Sequence, residues 1–171
     1  MEKDKIELEV IKKLPIKSLV RIIDKVKEQL KKDETVIKAF KEYDVEISEI
    51  DLVPMYFGDL DVSASTNHAV ICLNYKLLCP ADLNSICGYG AHELIHYLQQ
   101  TTGSKGTQGA DDGEYLKNPY EQEAFQHQVE FIANHEGEEE AEEYVEKLLD
   151  HHEVKGKKKK DELEAVLLEK I

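Results

Sequence analysis

The chain has no tryptophan, only four phenylalanines and two methionines among its 171 residues, so its core must be built mainly from aliphatic side chains. No uninterrupted apolar run approaches the ~20 residues that a bilayer-spanning helix needs. The first ten residues, MEKDKIELEV, alternate charged and apolar types and lack the form of a signal peptide. The three cysteines, Cys72, Cys79 and Cys87, are an odd number without a CxxC pair. A disulfide framework or a four-thiolate metal site is therefore excluded, and a cytoplasmic location is expected. Positive charge is scarce as well. Twenty-two Lys and Arg face thirty-six Asp and Glu, a net charge of −14. Such a surface repels phosphate, so neither nucleic acid nor an anionic membrane is an expected partner.

What is present suffices for one core with a helical appendage: 41% of residues are apolar and 34% charged. Residues 4–14 and a segment entered through Pro15 read as helices. In the second, Leu19, Ile22, Ile23, Val26 and Leu30 recur at helical spacing. A third helix over 35–43 would bury Val36, Ile37, Phe40 and Tyr43. From residue 44 the period changes to two. Val45 and Ile47, then Ile50 and Leu52, alternate with a slip, and Pro54 ends that run. Leu60, Val62 and Ala64 alternate again. Residues 68–78 are apolar on both faces, as in a strand covered on both sides. A small sheet of about three strands is expected.

After Pro80 the helical period returns. Leu83, Ile86, Cys87, Gly90, Ala91, Leu94 and Leu98 form one stripe, with Asp82 as cap and Gly103 as terminator. Gly88 and Gly90 cost helix stability and imply close approach of another element. Residues 103–118 have no periodicity. Asn118-Pro119 then opens a helix running to about Asn134, with Ala124, Phe125, Val129 and Ile132 inward. Glu136–Glu146 is an acidic helix face, KGKKKK at 155–160 a hinge, and Leu163, Val166, Leu167 and Ile171 mark a last short helix. The regions are thus an N-terminal helical part (1–43), a core (44–135) and a C-terminal helical extension (136–171).

One motif carries chemistry: His92-Glu93-Leu94-Ile95-His96, an HExxH sequence inside the helix after Pro80. Residues four apart project from one side of a helix, so both imidazoles can grip one Zn²⁺ ion. Glu93 emerges beside the metal, where a general base would take a proton from bound water. A catalytic zinc needs a third protein ligand. The extension HExxHxxGxxH is absent, because Gln99 and Thr102 stand at the Gly and third His positions, and no Met follows the motif.

The segment Asn118-Pro119-Tyr120-Glu121-Gln122-Glu123-Ala124 resembles the gluzincins, in which a glutamate on the following helix, three residues before a small residue, is the third ligand. Glu121 with Ala124 fits this rule, and Glu123 is the alternative in a shifted register. Residues 44–135 look like the minimal core of the minigluzincins, and HELIHYLQQ is similar to the HELxHxxQQ helix of a bacterial metallopeptidase family. The resemblance implies an α+β, zincin-like fold. It also implies a zinc-dependent metallopeptidase in which His92, His96 and Glu121 bind the metal, Glu93 is base and acid, and a protein or peptide is the substrate. It further implies that a strand near residues 66–75 binds that substrate along its edge. Gluzincins commonly place Asp after the small residue to support a ligand His; here that residue is Phe125.

Tyr115, Tyr120, His127 and His135 are candidates to stabilise an oxyanion, with no spacing that selects among them. His151 and His152 lie in the tail, and Cys87 is expected to pack rather than ligate. The alternative to a peptidase is a regulatory or structural zinc-binding protein with little or no activity. The terminal helices offer apolar faces that could serve self-association or cover the cleft.

Overall fold

The computed structural model describes residues 2–79, 82–103 and 115–171. It is an α+β protein, mostly helical, with one small mixed sheet. Three helices come first: α1 (Glu2–Lys12), α2 (Ile16–Lys32) and α3 (Glu34–Glu42). Pro15 caps α2 from outside rather than forming its first residue. Ile23, Val26 and Leu30 are buried on α2, as their spacing predicts. On α3 the inward face is Val36, Ala39 and Phe40, whereas Ile37 lies to one side and is exposed.

The segment 45–52 departs from the expected bulged strand. Ile47–Leu52 forms a 3₁₀ helix, in which residues three apart eclipse one another. Ile47, Ile50 and Val53 thereby share one face toward the core. Pro54 does not end a strand; it precedes β1 (Met55–Gly58), and its carbonyl accepts from the Ile71 amide at 2.8 Å. The second strand begins only at Ala64 (β2, Ala64–Asn67), because the Asn74 amide clamps the carbonyls of Leu60 and Val62 at 2.8 Å each.

The third strand, β3 (Val70–Asn74), is shorter than the 68–78 run. His68 and Ala69 both take positive φ (51° and 61°), the twist that a two-residue hairpin loop needs. At the other end Tyr75–Leu77 turns into a 3₁₀ helix. The sheet order is β1-β3-β2, with β3 parallel to β1 and antiparallel to β2. The two-faced apolar strand is thus the central one. It has no free edge, so within residues 66–75 only the end of β2 lies at an edge of the described sheet.

The motif helix α4 (Leu83–Thr101) is capped by Asp82, whose side chain accepts from Asn84 N, and Gly103 follows its end at φ 78°. Gly90 is where α2 crosses: a Cβ there would lie 3.0 Å from Leu30 Cδ1. The expected irregular segment 103–118 falls largely outside the described residues, but Tyr115–Lys117 is a 3₁₀ turn leading into α5 (Pro119–Glu136). Gly137, at φ 117°, separates α5 from α6 (Glu138–His151). Of the lysine-rich segment expected to be a hinge, only Lys155 and Gly156 (φ 92°) lie in the connection; Lys157–Lys160 form the first turn of α7 (Lys157–Leu167).

Helix α5 lies between two apolar clusters. Ala124 and Phe131 join the larger one, built from α2, α3, the sheet and α4. Phe125 and Val129 join the smaller one, with Leu116, Ala141, Val145, Leu149, Val154, Leu163 and Leu167. At the far end of α5, His135 Nε2 lies 2.6 Å from Asp33 Oδ2, while Asp33 Oδ1 caps α3. The C-terminal helices therefore help to hold α5 in place. Among the described residues no helix is long and apolar enough to cross a membrane.

His127 lies wholly buried where α5 meets α3 and α4, among Val36, Ala39, Phe40, Ala91, Leu94 and Ile95. Neither ring nitrogen has a hydrogen-bond partner among the described residues, and the surrounding space has no room for a water molecule. Burial, reinforced by Lys170 and Lys38, pushes its pKa down from 6.5 to about 3. The unfolded chain therefore binds a proton below pH 6.5 that the folded chain refuses, so stability falls as pH drops through that window. His127→Leu should lose this dependence. Urea unfolding should show wild type losing about 2–3 kcal/mol more than the variant between pH 7 and 4.5. Parallel pH profiles would refute this account.

Candidate metal centre

Helix α4 is buried on nearly all sides, which is why a motif of polar residues can sit inside the protein. His92, Glu93 and His96 are all buried. One turn separates the two histidines, and both imidazoles turn toward the start of α5. That start is fixed by local chemistry: Asn118 caps the helix through a bond from Tyr120 N, and Pro119 supplies a helical φ without an amide hydrogen to satisfy. Glu121 then falls in the first turn. Ala124, fully buried one turn further on, lets the two helices approach closely.

The three predicted ligands converge. His96 Nε2 lies 3.2 Å from His92 Nε2 and 3.2 Å from Glu121 Oε2, and His92 Nε2 lies 3.5 Å from Glu121 Oε2. Tetrahedral bonds of 2.0–2.1 Å imply ligand separations of about 3.3 Å, so the triangle has the edge lengths of a tetrahedral face. This buried His-His-Glu group could hold a metal ion. Glu123, the alternative ligand, is outside the triangle. Its carboxylate accepts instead from Tyr43 Oη, at 2.7 and 2.8 Å, and from Gln99 Nε2 at 2.9 Å.

Charge complementarity holds the group together. Burial alone would raise the Glu121 pKa, but bonds to His92 and His96 hold it well below the usual carboxylate range. Burial pulls His96 down, and Glu121 more than reverses this, raising it to about 8. Tyr115 Oη donates to Glu121 Oε2 at 2.8 Å; burial and the neighbouring carboxylates push its pKa up, so the phenol stays protonated.

The two histidines are supported unequally. His96 Nδ1 lies 2.8 Å from Gln99 Oε1. His92 Nδ1 is buried without a partner among the described residues, and the Phe125 ring meets the imidazole edge-on at 4.5 Å. Phe125 offers no hydrogen-bond acceptor, and the nitrogen is left orphaned among the described residues.

Of the four oxyanion candidates, only Tyr115 reaches the ligand group. Tyr120 contributes its carbonyl to Gln99 Nε2, at 3.1 Å. His127 lies in the core, and His135 pairs with Asp33. Cys87 packs against Val26 with its thiol pushed up to about 12 by burial, as expected for a non-ligand.

Three participants escaped the sequence reading. Thr66, on β2, donates to Glu93 Oε2 at 2.5 Å. Nothing in its sequence neighbourhood signals this. His152 stacks on Tyr115, with centroids 5.0 Å apart and planes 21° apart, so it is more than a titrating tail residue. Gln99 did carry a signal: it lies three positions after His96, on the same side of the helix.

Comparison with family models, curated proteins and solved structures finds no match for this chain. The geometry therefore yields its own test. The protein should bind one divalent ion, and metal at 100 times Kd should stabilise it by about 2.7 kcal/mol. Thermal melts with and without metal should show the increase in wild type and its disappearance in Glu121→Ala. A metal-induced increase that survives in the variant would exclude this triad.

Proposed function

We propose that the chain is a zinc-dependent metallopeptidase of the zincin type, similar to the gluzincins, and that His92, His96 and Glu121 hold the ion. The observation that carries the reading is a tetrahedral-face ligand triangle with a carboxylate, Glu93, adjacent in sequence to the first ligand and anchored at the same site. Zinc bound there would acidify a coordinated water and polarise a scissile carbonyl.

The chain's own residues supply the rest. Glu93 accepts the proton from the attacking water and later passes it to the leaving amine. Thr66 occupies Glu93 Oε2, which orients the carboxylate and reserves Oε1 for the base. Tyr115, a protonated phenol at the ligand group, is the best placed of the candidates to turn its one hydrogen from Glu121 Oε2 to the developing oxyanion. Strand β2 has its outer edge unpaired within the described sheet, so an extended peptide could add there by main-chain hydrogen bonds. Thr66 links that strand to the base, which would bring a docked peptide alongside Glu93.

A second reading is a metal ion that only staples α4 to α5. The buried ligands and the unsupported His92 Nδ1 favour it. Peptide cleavage assays on zinc-loaded protein separate the two. Glu93→Gln should keep the metal and lose about 10²–10⁴-fold in kcat/KM. Tyr115→Phe should lower kcat by about 10²–10³-fold. A wild type that binds zinc but cleaves neither casein nor a peptide library would favour the staple.

A further inference from the structure

We infer that Gln99, held in turn by Glu123 and Tyr43, is a positioning residue that fixes which nitrogen of His96 faces the ion. This rests on the metal reading of the triad and adds a support chain that reaches it from α3.

The Gln99 side chain is completely buried, and the two ends of its amide face different partners. Nε2 lies 3.1 Å from Tyr120 O and 2.9 Å from Glu123 Oε2. A carbonyl and a carboxylate only accept, so this end of the amide must be the NH₂ group. The other end is then the carbonyl oxygen, and it faces His96 Nδ1 at 2.8 Å. His96 Nδ1 must carry a hydrogen and donate it. The Nε2 position is thereby the one available to a metal, and it is Nε2 that lies 3.2 Å from both His92 and Glu121. Turning the amide over would aim its oxygen at two acceptors and lose both bonds.

Glu123 is what makes the amide orientation one-sided, and Tyr43 at the end of α3 steadies Glu123. The choice of an amide also has an electrostatic reason. Glu121 and Glu93 already bring two carboxylates to the centre. A neutral acceptor directs the His96 proton without adding a third negative charge in direct contact with the ligand. His92, with no acceptor at Nδ1 among the described residues, shows what a ligand looks like without such support.

The test uses the whole chain and zinc alone. Zinc affinity is measured by competition with a chromophoric chelator, and the His96 Nδ1–H signal is followed by ¹⁵N-resolved NMR in the zinc-loaded protein. Gln99→Leu should weaken zinc binding about 10–100-fold and abolish or rapidly exchange that signal. Tyr43→Phe, which leaves Gln99 intact, should weaken zinc by about threefold. Gln100→Leu is the control. The Gln100 amide is engaged instead by Ala69 N and Thr66 O. Its zinc affinity should stay within about twofold of wild type, because no ligand loses a partner.

Equal zinc affinity in Gln99→Leu and wild type overturns the inference, as does an equal loss in Gln99→Leu and Gln100→Leu. If Gln99→Leu fails to fold, an unchanged affinity in Tyr43→Phe overturns it. A wild type that binds no zinc overturns the metal reading itself, and this inference with it.

Discussion

The rest of the site depends on a buried meeting of two imidazoles and one carboxylate at the crossing of α4 and α5. Taking a carboxylate out of water costs several kcal/mol unless opposite charge and hydrogen bonds replace the solvent. Glu121 meets that cost with His92, His96 and the Tyr115 hydroxyl. The arrangement is possible only because Ala124 allows the helices to close and because α4 is surrounded by α2, the sheet and α5. Each of the three side chains is thus fixed by packing that lies outside the group itself.

The two sides of the centre differ in kind. On the His96 side a polar chain runs from Gln99 through Glu123 to Tyr43, joining the N-terminal helices to the site. On the His92 side Nδ1 has no partner among the described residues, and the ring meets Phe125, which belongs to the apolar cluster formed with α6 and α7. Tyr115 and His152 bring the C-terminal part of the chain to the same place. The centre therefore sits where the sheet, the N-terminal helices and the C-terminal helices meet. A disturbance in any of them could reach the ligands through one or two contacts.

Helices with a strong apolar stripe are legible in the residue order: α2, α4 and α5 lie within a few residues of their expected spans. The two histidines of the candidate metal group are legible too, because HExxH places them on one side of a helix by geometry alone. Strands are less so. The 45–52 segment alternates well enough for a strand, yet Ile47, Ile50 and Val53 are also three apart, and a 3₁₀ helix brings all three to the core. Short apolar runs satisfy both periods, and only the neighbours decide between them. The same ambiguity hides the turn at His68-Ala69 inside what looks like one long strand.

What the sequence determined by itself was local and periodic: the motif helix, its caps, the Asn118-Pro119 start that puts Glu121 in a first turn, and the pairing of His92 with His96 on one helix face. Only the tertiary structure decided between Glu121 and Glu123, because the two differ by about 200° around α5 and only one of those directions faces His92 and His96. It alone brought Thr66 to Glu93, His152 to Tyr115 and Tyr43 to Glu123. These pairs are separated by 27, 37 and 80 residues. A side-chain hydrogen bond or a ring contact leaves no periodic mark in a sequence. It exists only once the backbone has closed the distance.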